Sequence, residues 1–224
     1  MQVNDTNTDS CDFDEKFRQL RQMFHSRMNG EASMQMKRLN PVYKQVFGVS
    51  LPHLREISAL FEFNAAECEQ LWQSKIREAM IVACLQFPDN EADADTLFRW
   101  SADVASVDMV EFASFLLFSR ALDMEAFCSK LIERGAQFDF AIELNSVARA
   151  LQRKRPVLEA TSLVCYEVLK RYDFSITEGR AIASILSHLW ADDLLTADVV
   201  NVYRHLQKRV DTEFSHEILA MIDN

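Results

Sequence analysis

The chain has 224 residues, 49% of them hydrophobic and 26% charged, with a formal net charge of −10. Four glycines and four prolines are too few for the tight turns of a strand-rich fold, so the composition points to an all-α protein with short polar connections. The longest apolar stretch, around Phe112 to Phe118, falls far short of the roughly 20 residues of a membrane span. The N-terminus is polar and acidic, the reverse of a basic-then-apolar signal peptide, so a cytoplasmic location without a membrane partner is expected.

Residues 1–11 read as a mobile tail, and 12–224 as one helical domain. Phe13, Phe17, Leu20 and Phe24 recur at helical spacing. A short helix around Ser33 to Leu39 is expected to end at Asn40-Pro41, because the residue before proline disfavours the α region. Gly48 breaks the chain. Ser50 is a helix N-cap candidate, with Pro52 in the first turn. Leu51, Leu54, Ile57 and Phe61 then form one stripe. Asn64 and Glu67 have the spacing of a capping box. Pro88 stops a helix carrying Ile76, Met80, Ala83 and Phe87. Asp89 to Asp95 places negative charge at the next helix start, a helix lined by Leu97, Trp100 and Val104.

Asp108 and Glu111 read as a further cap and its partner. Met109 to Leu122 is apolar on nearly all sides and is expected to be the most buried helix. Later helices centre on Phe127, Leu144, Val164, Ile185, Val202 and Ile218, with Gly135 and Gly179 at junctions and Pro156 where a new helix begins. This succession is the pattern of antiparallel helix-pair repeats, a HEAT-like α-α superhelix or solenoid. An irregular bundle is the structural alternative.

Several chemistries are absent from the sequence. It has no glycine-rich phosphate loop, no serine flanked as a nucleophile elbow and no His-Glu-x-x-His. The five histidines show no i, i+4 pairing. The five cysteines (Cys11, Cys68, Cys84, Cys128, Cys165) are odd in number and lack metal spacing, and Cys84 and Cys165, in apolar helical surroundings, read as small buried hydrophobes. Asp89, Glu91, Asp93 and Asp95 alternate like a calcium loop, but Ala94 stands at the glycine position and Trp100 at the terminal glutamate. Neither a metal nor a cofactor is expected.

Charge is unevenly spread. Residues 61–145 carry a net −10, residues 181–224 −4, residues 1–60 +1 and residues 146–180 +3. A phosphate-binding surface would therefore be built from the first and third blocks. Arg149, Arg153, Lys154 and Arg155 form a basic cluster before Pro156. It can be read as cations at a helix C-terminus or as phosphate contacts. Lys37, Arg38 and Lys44 form a second, weaker cluster.

The run from Tyr43 through Phe47-Gly48-Val49-Ser50-Leu51-Pro52 to Arg55, followed by Leu71-Trp72 and Arg77-Glu78, resembles the DNA alkylation repair family of AlkD-like glycosylases. Weaker similarity continues through most of the chain. The resemblance implies a HEAT-like superhelix. It also implies enzymes that remove positively charged alkylated bases from DNA, with a catalytic Asp and Trp and Tyr side chains lining a concave basic groove. A carboxylate there stabilises positive charge developing on the sugar, while aromatic faces hold the cationic base.

The family's catalytic segment, Trp-Trp-Asp-Ser-Val-Asp, corresponds to Val104-Ala105-Ser106-Val107-Asp108, so the resemblance makes Asp108 the catalytic carboxylate. The tryptophans before it have no counterpart, since Trp100 lies a helical turn away. A second active-site Trp falls at Ser146, with Arg149 kept, and Tyr43 matches a groove tyrosine. The reading that follows is a divergent, non-catalytic scaffold binding nucleic acid or protein on its concave face. The first alternative is an active alkylpurine-DNA glycosylase acting on double-stranded DNA, with Asp108 catalytic. Tyr43, Lys37, Arg38, Lys44, Arg149, Arg153, Lys154 and Arg155 would then form the groove. The second is a peptide-binding adaptor.

Overall fold

The computed structural model describes residues 6–39, 42–171, 174–191 and 202. Eleven α-helices and two short 3-10 turns appear among them, with no strand beyond an isolated bridge between Gln45 and Ile76. The chain divides into two compact units, Met1–Glu91 and Ala92–Asn224.

The first unit holds α1 (Thr6–Ser26), α2 (Gly30–Leu39), α3 (Leu51–Ser58), α4 (Ala65–Gln73) and α5 (Arg77–Gln86). The first helix begins inside the segment expected to be a tail, with its backbone helical from Thr6. Phe13, Leu20 and Phe24 are buried on one face of α1, and the Phe24 ring lies 5.7 Å from that of Phe47. The capping box at α4 forms as expected. Asn64 Oδ1 accepts from Glu67 N–H at 2.9 Å, and Glu67 Oε2 accepts from Asn64 N–H at 2.8 Å. Ser50 does occupy the N-cap of α3, but its side chain makes no capping bond.

The motif residues of this unit converge on one turn. Gly48 has φ +74°, and a Cβ there would sit 2.6 Å from Asn29 O and 2.8 Å from Ser33 N. Only glycine fits, on both conformational and steric grounds. The wholly buried Glu78 carboxylate accepts from the N–H groups of Phe47 at 3.0 Å and Gly48 at 2.9 Å, and pairs with buried Arg77 at 3.2 Å. A charged acceptor satisfies two buried donors that no helix or sheet could reach. The Phe-Gly turn and the Arg-Glu pair, 30 residues apart, are thus two halves of one structural lock.

The second unit holds α6 (Ala94–Ser101), α7 (Val107–Leu116), α8 (Met124–Arg134), α9 (Asp139–Gln152), α10 (Leu158–Lys170) and α11 (Ile176–Ala191). Here α8 packs on both α6 and α10, while α9 packs on both α7 and α11, and α9 also touches α8 and α10. Alternate helices therefore form two layers, as helix-pair repeats require. Arg134, in the last turn of α8, ties three helices together. It pairs with Asp139 of α9, donates to Phe98 O at 3.3 Å and Ser101 Oγ at 2.8 Å of α6, and lies 4.5 Å from the Phe98 ring. Gly135 ends α8 in the left-handed conformation, φ +61°.

Several expectations are corrected here. The N-cap of α7 is Ser106, whose Oγ accepts from Met109 N–H at 3.2 Å, and Asp108 lies in the first turn. The apolar run from Met109 does not continue as one helix to Leu122. It breaks at Leu117 and gives way to a 3-10 turn at Phe118–Arg120. The most buried helix of this unit is α9, where eleven residues from Asp139 to Ala150 are buried, because neighbours cover it from both layers. Gly179 lies within the first turn of α11 rather than at a junction. Val202 is helical and buried. The helix expected around Ile218 lies outside the described residues.

The centre of α9 carries a buried acid. Glu143 is 1% exposed, and its Oε1 has no hydrogen-bond partner. Burial, reinforced by the Glu167 carboxylate, pushes its pKa up to about 8. Burial and the nearby Glu143 likewise push the Cys128 thiol well above its ordinary range, so this cysteine is an inert core residue. Cys68, Cys84 and Cys165 are also buried, and none of them is in a disulfide.

Candidate nucleic-acid interface

The expected site residues fall in both units. Lys37 and Arg38 are exposed in the last turn of α2, followed by half-buried Tyr43 and exposed Lys44, whose N–H donates to Lys75 O at 2.9 Å. Asp108, Arg149, Arg153, Lys154 and Arg155 belong to the second unit.

Within the second unit the basic cluster divides by task. Arg155 is half-buried and donates from Nη1 to Ser119 O at 2.8 Å and from Nη2 to Ala121 O at 2.9 Å. Those carbonyls close the 3-10 turn after α7, so Arg155 supplies donors that a broken helix end lacks. Arg153 is exposed, but its Nη2 reaches Phe115 O at 2.6 Å. The guanidiniums of Arg149 and Arg153 lie 5.2 Å and 5.7 Å from the Phe115 ring centroid, a cation–π arrangement that fixes both at the end of α9. Lys154 is exposed and left-handed, φ +55°.

The sequence reading missed a polar cavity of about 330 Å³ between α7, α9 and α11. Glu111, Asn145, Arg149, Gln152, Thr177, Arg180 and Ser184 line it. A hydrogen-bond chain crosses one wall, from Arg149 Nη1 to Gln152 Oε1 at 2.9 Å and from Gln152 Nε2 to Ser184 Oγ at 2.9 Å. Nothing local marks Arg180 as a partner of Arg149, since only the packing of α11 on α9 brings them to one cavity. A larger cavity of about 620 Å³ in the first unit is lined mainly by apolar surface, with Phe17, Arg21, His25 and Phe47 among its walls. It includes none of the expected site residues.

The described tryptophans contribute nothing to an open surface. Trp72 and Trp100 are wholly buried, and Ser146, which stands at an expected tryptophan position, is also wholly buried. The side chain of Trp190 lies outside the described residues. Asp108 is half-buried and does not line the polar cavity, although Glu111 does, three residues further along α7. Among the described residues no three His, Cys, Asp or Glu side chains converge as a metal ion requires, and no helix is long and apolar enough to cross a membrane.

A family model described as DNA alkylation repair enzyme matches residues 20–137. No curated protein matches the chain. A solved structure from a new family of proteins related to the HEAT-like repeat DNA glycosylases, with affinity for branched DNA structures, aligns at TM-score 0.70. The alignment covers 92% of this chain and 94% of that one, at 13% identity. At that identity the likeness establishes the HEAT-like all-α fold.

Proposed function

Since the chain belongs to the DNA alkylation repair enzyme family, we propose that it is a non-excising member that binds DNA through basic side chains, with branched DNA as the preferred form. The burial of Trp72, Trp100 and Ser146 carries this reading. Holding a cationic base against discharge into water needs exposed aromatic faces, and stacking is worth roughly 1–3 kcal/mol per base. At the matched positions the tryptophans are missing, and half-buried Tyr43 is the one aromatic kept among the described residues. The basic end of α9 supplies the phosphate contacts through Arg149, Arg153 and Lys154. Lys37, Arg38 and Lys44, with Tyr43 beside them, supply those of the first unit. Arg155 is spent on the turn after α7. The affinity of the structural neighbour for branched DNA supports the choice of ligand.

The test is single-turnover release of base from a duplex bearing a positively charged alkylated purine, with excess protein. The proposal predicts release at the spontaneous rate.

One observation favours a glycosylase as the second reading. Ser106 caps α7, so the N-cap role does not account for Asp108, the position that matches the family's catalytic carboxylate. Accelerated release that disappears in Asp108→Asn would establish that reading and displace the first.

A further inference from the structure

The cavity between α7, α9 and α11 holds opposite charges that do not pair. Arg149 and Arg180 line it from two helices and Glu111 from a third. Glu111 forms no ion pair or hydrogen bond among the described residues. In so small a space, unpaired charges of both signs suit a ligand that is anionic at one end and a hydrogen-bond donor at the other. A site for phosphate alone would gain nothing from a carboxylate in its wall.

The remaining polar atoms sharpen this. Asn145 Nδ2 is committed to Ala141 O at 2.8 Å, so the side chain has its Oδ1 left to accept. Gln152 has its carbonyl on Arg149 and its amide on Ser184. Acceptors toward a ligand are therefore Glu111 and Asn145 Oδ1. Donors are the free guanidinium N–H groups and the hydroxyls of Thr177 and Ser184. A volume of about 330 Å³ lies at the small end of ligand pockets, roughly 300–1,000 Å³, the scale of one nucleotide.

We infer that this cavity receives one unpaired nucleotide of a branched DNA, with its phosphate between Arg149 and Arg180 and the N–H edge of its base on Glu111. The inference rests on the DNA-binding reading and adds to it a base-reading contact. Guanine is the preferred base. Its ring N–H and exocyclic amine are adjacent donors that a carboxylate accepts together, whereas thymine offers one N–H between two carbonyls.

The experiment is anisotropy binding of the full chain to three labelled three-way branches. One is fully paired, one carries a single unpaired deoxyguanosine at the branch point, and one an unpaired thymidine there. The wild type is expected to bind the guanosine branch about tenfold more tightly than the thymidine branch, the discrimination of one bidentate base contact. Glu111→Gln, at an exposed position, should bring that ratio close to one. Arg180→Ala should weaken binding to both unpaired branches. An equal affinity for the guanosine and thymidine branches, or a preference that survives Glu111→Gln, overturns the nucleotide pocket while leaving DNA binding in place. Absence of binding to all three at low salt overturns the DNA-binding reading itself, and this inference with it.

Discussion

Replacing Glu78 by alanine tests whether the Phe-Gly and Arg-Glu motifs are a folding device. The carboxylate is wholly buried and accepts at 3.0 Å and 2.9 Å from two backbone donors, and at 3.2 Å from Arg77, itself 2% exposed. Two buried N–H groups left unsatisfied cost about 1–3 kcal/mol each. Breaking a buried ion pair costs about 3–5 kcal/mol. These contributions overlap because they share one carboxylate, so the expected loss is about 4–5 kcal/mol, against a typical domain stability of about 5–15 kcal/mol. At about 2–4 °C per kcal/mol, the midpoint should fall by at least about 8 °C. Glu78→Gln should lose less, because the amide keeps one acceptor, yet its NH₂ group must face one of the two backbone donors. Thermal unfolding followed by circular dichroism at 222 nm reads both variants. A midpoint for Glu78→Ala within 2 °C of wild type, on the same scale, would refute the lock.

Three further outcomes follow from the second unit. Lys154→Gly should raise stability by about 1 kcal/mol, because glycine adopts φ +55° without the side-chain clash. The same variant should lower the salt dependence of DNA binding by about 0.9 in log–log slope, whereas a lysine with no ligand would leave the slope unchanged. Arg155→Ala should cost about 2 kcal/mol through its two lost carbonyl contacts and leave the salt slope as it is; a changed slope would return Arg155 to the binding surface. Glu143→Gln should alter the pH profile. A carboxyl whose folded pKa is raised to about 8 keeps its proton in the fold while the unfolded chain ionises from its ordinary value. Stability is then full below about pH 4.5, falls by about 1.4 kcal/mol per pH unit up to about pH 8, and is flat above that. The variant should be flatter across this window and more stable than wild type at pH 8, as read by urea midpoints. An unchanged profile would mean that Glu143 does not titrate there.

The sequence was most legible where a local rule has one solution. Asn64 and Glu67 satisfy each other across three residues, so their spacing was enough. Gly48 and Gly135 were readable because few other residues tolerate a positive φ. Asp108 was misread because Ser106-Val107-Asp108 offers two competent caps within two residues, and helix ends are ambiguous at that scale. The break at Leu117 was invisible because its compensation comes from Arg153 and Arg155, 34 to 38 residues away. The same holds for the polar cavity. Arg149 stood out in a basic run, whereas Arg180 is an isolated cation that acquires meaning when α11 packs on α9. The resemblance motifs identified the family correctly, yet Gly48 and Glu78 owe their chemistry to folding.

The central claim is that a chain with a net charge of −10 binds DNA through locally basic surfaces. It is tested most directly by anisotropy with labelled four-way-junction and linear duplex DNA of equal length, titrated from 20 to 200 mM salt. The account predicts tighter binding to the junction and a steep loss of affinity with salt, on the order of three or more released counterions. No binding to either DNA at 20 mM salt, where exposed charges are least screened, would contradict it.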